Sequence, residues 1–196
     1  MLFRSENGVY AGVALRSTDE FVVRYYDNFE SVPAIFKIAG KVPVMPGNYS
    51  WNNFNFYYRG SEARPFYIRS DIYCCSFYNG SYFKADLITD WRVSRYLHLA
   101  PRYTYTHIAL PTGKVDIHLL AWDTEINFTP DMQLLTQVQY DNISQKFALS
   151  MRYRWEFEPG QEIFASVGQT GTVPGQPTFV PQTTQAVIRL GHTFRF

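Results

Sequence analysis

Residues 145–157 read QKFALSMRYRWEF and alternate without a miss. Phe147, Leu149, Met151, Tyr153, Trp155 and Phe157 fall on one parity; Lys146, Ser150, Arg152, Arg154 and Glu156 fall on the other. Successive side chains of an extended chain point to opposite faces, so the pattern predicts a β-strand with one apolar and one charged surrounding. The run is also longer than the five or six residues usual in soluble sheets. It matches the roughly nine to eleven residues that cross a bilayer at a tilt.

The same reading extends outward in both directions. Pro159-Gly160 is a turn, Glu162–Gly168 the next strand, and Gln169–Thr184, rich in Gly, Pro, Thr and Gln, is expected to be one long loop. The last stretch, TQAVIRLGHTFRF (Thr184–Phe196), sets Ala186, Ile188, Leu190, Phe194 and Phe196 against Gln185, Arg189, Thr193 and Arg195. Upstream, Met132–Tyr140, Tyr96–Ile108, Ser81–Val93, Pro65–Phe77, Tyr49–Arg59, Glu20–Tyr26 and Val9–Arg16 all alternate. Thr129-Pro130-Asp131, Pro111-Thr112-Gly113, Asn79-Gly80 and Pro46-Gly47-Asn48 mark turns between them. Val32–Met45, interrupted by Pro33 and Pro43, admits only short edge strands. Within Lys114–Phe128 the apolar parity switches, from Val115, Ile117, Leu119 and Ala121 to Trp122, Ile126 and Phe128. A bulge, or an aromatic rim at the strand end, would account for the switch.

About ten or eleven strands, tight turns and no helical period define an all-β class, an antiparallel up-and-down meander. With 15 Tyr, 16 Phe and 4 Trp the chain suits strands and the aromatic girdles of a transmembrane β-barrel. Mean hydropathy is −0.23 and no apolar run approaches the eighteen or so residues of a membrane helix. Net charge is +1, with cations scattered singly, which argues against nucleic acid as a partner. Cys74 and Cys75 are adjacent and, on opposite faces of a strand, are expected to pack rather than bridge. The start, MLFRSENGVYAGVALR, lacks the features of a signal peptide. The expectation is therefore one β-barrel domain over 1–196, a transmembrane β-barrel or the C-terminal portion of a larger one.

The run Leu110–Phe164 resembles a family of bacterial outer-membrane proteins of unknown function. The elements that carry the likeness are Leu110-Pro111 with Gly113, Phe128-Thr129-Pro130-Asp131, Gln139-Tyr140-Asp141-Asn142, Arg152, Arg154-Trp155, Pro159-Gly160 and the terminal Phe194-Arg195-Phe196. Upstream, Val42–Tyr49 and Phe77–Gly80 resemble turns of the same family. In that family a C-terminal barrel follows a domain similar to family-9 carbohydrate-binding modules. The resemblance implies a Gram-negative outer-membrane location, a porin-like barrel and a carbohydrate-binding association. It also implies that the final strand, with Phe194 and Phe196, is the signal read by the barrel-assembly machinery.

Candidate sites follow from parity. Arg69, Asp71, Lys84, Asp86, Asp90, Arg92, Arg102, Arg152, Arg154, Glu156 and Arg189 are expected to face a lumen. Phe83, Leu87, Trp91, Phe147, Leu149, Met151, Tyr153, Trp155, Ile188 and Leu190 are expected to face lipid. Such a barrel serves as a passive pore, or anchors a binding domain lying outside this sequence. Expected partners are membrane lipid, the assembly machinery, and a carbohydrate or small solute. One alternative is a soluble β-sandwich carbohydrate-binding module with Trp51, Tyr57, Trp91, Trp122 and Trp155 as sugar platforms. A second is an outer-membrane hydrolase, using for example Ser150 with His118. His98, His107, His118 and His192 show no metal-ligand spacing, no nucleophile elbow occurs, and no cofactor, metal or catalytic residue is assigned.

Overall fold

A computed structural model describes residues 3–174 and 178–193. Among them the regular structure is all β: β1 (Phe3–Ala14), β2 (Glu20–Val32), β3 (Phe36–Ile38), β4 (Val42–Val44), β5 (Gly47–Arg59), β6 (Phe66–Phe77), β7 (Gly80–Arg92), β8 (Leu97–Leu110), β9 (Gly113–Thr129), β10 (Met132–Asp141), β11 (Lys146–Glu158), β12 (Gln161–Thr172) and β13 (Val180–His192). An 11-stranded sheet follows chain order, β1-β2-β5-β6-β7-β8-β9-β10-β11-β12-β13, while β3 and β4 pair with each other. The antiparallel up-and-down meander that the alternation predicts is therefore the observed fold.

Turn chemistry sets most strand limits. Gly160 adopts φ +82° in the Pro159-Gly160 turn, a conformation that glycine reaches without steric cost. Asn79-Gly80 behaves otherwise than expected: Tyr78 and Asn79 form the turn, and Gly80 already belongs to β7. A Cβ there would lie 2.1 Å from the Ala109 carbonyl oxygen of β8, so glycine is required for close strand approach.

Three other expectations are corrected. The stretch Gln169–Thr184 is largely strand, with Gln169 opposite Thr184 and Thr170 opposite Thr183, leaving only 173–179 between β12 and β13. Backbone pairing with a neighbouring strand needs no apolar period, and threonine is a good strand former. Cys74 and Cys75 are joined by a disulfide. Side-chain alternation is interrupted at Cys75, where φ is +107°, so the argument from opposite faces does not hold there. Finally, on its β10 side β9 keeps regular register through the parity switch, from Leu119 to Asn127, and the irregularity lies beyond it, between Met132 and Gln133. Phe194 and Phe196 lie outside the described residues.

The chain divides into two compact units, Met1–Ile88 with Tyr103–His118, and Thr89–Arg102 with Leu119–Phe196. In the first, the β3–β4 hairpin turns through Ala39 and Gly40, both at positive φ. Val42 and Val44 are 1% and 2% exposed and belong to an apolar core with Val32, Trp51, Tyr78, Ile108, Leu110 and Val115. Thr112 donates its hydroxyl to the Pro43 carbonyl, and Phe36 lies edge-on to Tyr78 at 6.2 Å. This core explains the β9 parity switch. Val115 is apolar because it faces the buried core of the first unit, whereas Trp122 and Phe128, farther along the strand, are apolar on the other face.

The turns β1–β2 and β5–β6 are clasped by an ion pair. Asp19, buried, accepts from Arg64 Nη2 at 2.6 Å and Nη1 at 2.8 Å, from Ser17 at 2.5 Å and from the Ser61 amide at 3.1 Å. The Arg64 hydrogen bond, with Ser17 next, holds the Asp19 carboxyl far below the usual carboxylate range. A depressed folded-state pKa contributes stability that is complete above the ordinary carboxylate value of about 4 and is lost as pH falls towards the lower folded value. At neutral pH, Asp19→Asn is therefore expected to unfold at lower denaturant than the parent. The gap should narrow steadily below about pH 4, as read from denaturant midpoints across an acid series.

Candidate functional site

Register separates the sheet of the second unit into two chemically distinct faces. One face carries the row Ile126, Leu134, Tyr153, Ala165, Ile188, and a parallel row in which Trp155 lies between Met132 and Ile163, with Leu190 beyond. Its apolar groups are open to the surroundings: Trp122 is 41% exposed, Phe128 49% and Leu190 79%. The other face carries Asp123, Gln137, Ser150, Gly168, Gln185 in one row and Glu125, Leu135, Arg152, Ser166, Val187 in the next.

Charges on that second face are largely matched. Arg102 meets Asp123 at 3.1 Å, and Arg154 bridges Glu162 at 2.9 Å and Glu156 at 3.2 Å. His98 stands between Asp90, at 2.9 Å, and Glu125, at 3.9 Å, while Arg92 lies 3.7 Å from Asp90. Glu125 accepts from the side-chain amides of Asn127 at 2.8 Å and Gln133 at 2.9 Å. Arg152 has no ion-pair partner among the described residues. A cavity of about 250 Å³ opens here, with Asp90, His98, Arg102, Asp123, Glu125, Gln137, Ser150 and Arg152 in its lining.

The first unit has its own polar network. Asn55, wholly buried, accepts from Arg24 at 2.6 Å and donates to Asp71 at 2.7 Å. Arg24 also lies over the Tyr57 ring at 5.3 Å. Arg69 lies opposite Arg59, itself paired with Glu20 at 3.0 Å, and Lys84 joins Asp86 at 2.7 Å. The expected charged residues thus collect on the polar parity of their strands. By the same parity Phe83, Leu87, Trp91, Phe147, Leu149, Met151, Tyr153, Trp155, Ile188 and Leu190 occupy the opposite face.

The alternation did not disclose two features. Asp123 and Glu125 complete the charged face beside Gln137, which the alternation of Met132–Tyr140 already set on the polar parity, but the parity switch of β9 hides these two acids. On the apolar parity of β8 and β9 in the first unit a polar cluster appears: His107 Nδ1 and Tyr105 Oη both reach Asp116 Oδ1, at 2.7 and 2.8 Å, and Tyr103 Oη meets His118 Nδ1 at 2.7 Å. His118 lies on the opposite parity of β9 from Asp123, the residue that shares a row with Ser150.

No protein-family model and no curated protein matches the sequence. Among solved structures, one described as the NanC porin aligns over 98% of this chain and 99% of its own, at 11% identity and a TM-score of 0.40. The class defined here by strand order and register is an all-β antiparallel meander with one charged and one exposed apolar face.

Asn55 is the buried joint of the first unit's network. Replacing it by Ala leaves the Arg24 and Asp71 groups short of a partner, at a cost of about 1–3 kcal/mol. The Asn55→Ala variant is expected to show a lower urea midpoint with an unchanged m-value.

Proposed function

We propose that this chain is an outer-membrane β-barrel, or the C-terminal part of one, acting as a passive pore for small polar solutes. The observation that carries the reading is the exposed apolar face of long antiparallel strands. Trp, Phe, Leu and Ile left open on one face are costly in water and favourable against lipid. The backbone of a spanning strand must find all its hydrogen bonds in neighbouring strands, which a meander supplies. The charged parity then lines a water-filled path, and its ion pairs fill that path without closing it. Membrane lipid and the barrel-assembly machinery are the partners this reading names, with a solute drawn from carbohydrates or molecules of similar size.

A second reading is favoured by the β3–β4 hairpin. Its Val42 and Val44 make one part of the polar parity in the first unit a dry core, which suits a sealed anchor better than an open conduit. On that reading the chain holds a binding domain at the membrane, as the resemblance to carbohydrate-binding-associated barrels suggests.

Single cysteines at successive positions from Lys146 to Phe157, in a background free of Cys74 and Cys75, separate the membrane reading from a soluble sheet. With the protein refolded in bilayers and labelled with a polarity-sensitive dye, Phe147, Leu149, Met151 and Tyr153 should report lipid, and Lys146, Ser150 and Arg152 water. Odd positions that stay dry and unreactive without lipid would overturn it. Planar-bilayer current then divides the two readings: stepwise conductance is expected of a pore and a silent membrane of an anchor.

A further inference from the structure

The cavity on the charged face of the second unit sets an acidic wall, with Asp90 and Glu125, against a guanidinium, Arg152, that has no ion-pair partner among the described residues. Glu125 is held by two neutral amides, from Asn127 and Gln133, with the His98 ring at 3.9 Å as its nearest basic group. His98 is shared with Asp90, 2.9 Å away, and Arg92 approaches that same carboxylate at 3.7 Å, so this wall keeps an acidic excess. Across the cavity Arg152 has no ion-pair or hydrogen-bond partner among the described residues, and Arg102, the other guanidinium in the lining, is engaged by Asp123 at 3.1 Å.

Register fixes the spacing of the two. Glu125 and Arg152 both lie opposite Leu135, one on each side, so they share a row and a face two strands apart. Two interstrand steps place their Cα atoms roughly 10 Å apart, and the two side chains stand without an ion pair between them. The apolar Leu135 between them leaves that gap without a polar bridge. Beside it Gln137 and Ser150 line the same cavity, with side chains not engaged by any described residue. On the cavity's acidic side, Asp90 Oδ1 and His98 Nε2 are shut from solvent without a well-formed hydrogen bond.

From this split pair we infer a binding site for a small zwitterion of amino-acid type, its ammonium at Glu125 and its carboxylate at Arg152. Charged hydrogen bonds of about 2.8 Å at either end, with an ammonium and a carboxylate about 3 Å apart between them, span the gap. The cavity, about 250 Å³, admits a molecule of that size. Each end replaces water by a fixed opposite charge, and Gln137 and Ser150 offer further donors and acceptors to the bound carboxylate or to a polar side chain. A monovalent anion or cation satisfies one wall and leaves the other charge unmatched, which is the source of the discrimination. The inference extends the pore reading by naming a solute class, and its test does not require conduction.

Titration calorimetry of the full chain refolded in detergent micelles uses four probes of similar size: alanine, lactate, isopropylamine and glycerol. Alanine is expected to bind saturably, at least tenfold more tightly than each of the other three. Arg152→Gln, at an exposed position, should bring alanine down to the level of isopropylamine and leave isopropylamine unchanged. Glu125→Gln should likewise bring alanine down to lactate. Absence of alanine binding, equal binding of alanine and glycerol, or alanine affinity unmoved by Arg152→Gln would each overturn the site. A silent bilayer with this pattern intact removes the pore and keeps the site; conductance without alanine binding does the reverse.

Discussion

Each strand of the main sheet pairs with the strands of that sheet that come before and after it in the chain, and everything else in the structure depends on that constraint. Neighbour pairing fixes which residues share a row, and the two-residue period then fixes which face each row presents. A slip of one residue between β10 and β11 would carry Arg152 and Arg154 to the apolar face and Tyr153 and Trp155 to the charged one. The four-residue turn 142–145 opposes that slip by leaving little slack between the two strands, as the tight turns at Pro130-Asp131 and Pro159-Gly160 do for the pairs beside them. Charge pairing across strands, as in Arg154 with Glu162, rewards the same register.

Much of this fold can be read from one strand. Lys146–Phe157 has a faultless alternation because it is apolar-exposed on one side and charged on the other for its whole length. Strands whose surroundings change along their length are harder. Val115 and Trp122 are apolar for different reasons, one because it belongs to a buried core and one because it stands on the open apolar face. Gly80 reads as a turn residue but serves as a gap for the Ala109 carbonyl. The Thr- and Gln-rich segments around 169–172 and 180–184 show no period because both of their faces are polar, and yet they pair.

The site was legible to the level of faces and no further. Arg69, Asp71, Lys84, Asp86, Asp90, Arg102, Arg152 and Arg154 announce themselves as charges at alternate positions in long strands. Which charge meets which is a property of register and of residues far apart in sequence, so Arg102 with Asp123 and His98 with Glu125 had no local signal. Asn55 is the clearest case. An uncharged residue among aromatics carries no mark of being the one side chain that links Arg24 to Asp71. The Tyr105, His107 and Asp116 cluster defeats a parity argument outright, since polar groups there stand on the face that the rest of β8 and β9 make apolar.

The β3–β4 hairpin has a bearing on how the chain finds its structure. All other neighbouring strands of the sheet are joined by short connections, so each pairing closes a small loop at little entropic cost. β2 and β5 are the exception: the chain between Val32 and Gly47 must be gathered in before they can zip. Loop closure becomes dearer with length, though slowly. A segment that first folds on itself through Ala39 and Gly40 brings its own ends together and shortens the effective loop. The hairpin thereby serves as an internal splint for the longest connection between paired strands of the meander, dividing one long-range closure into two local ones.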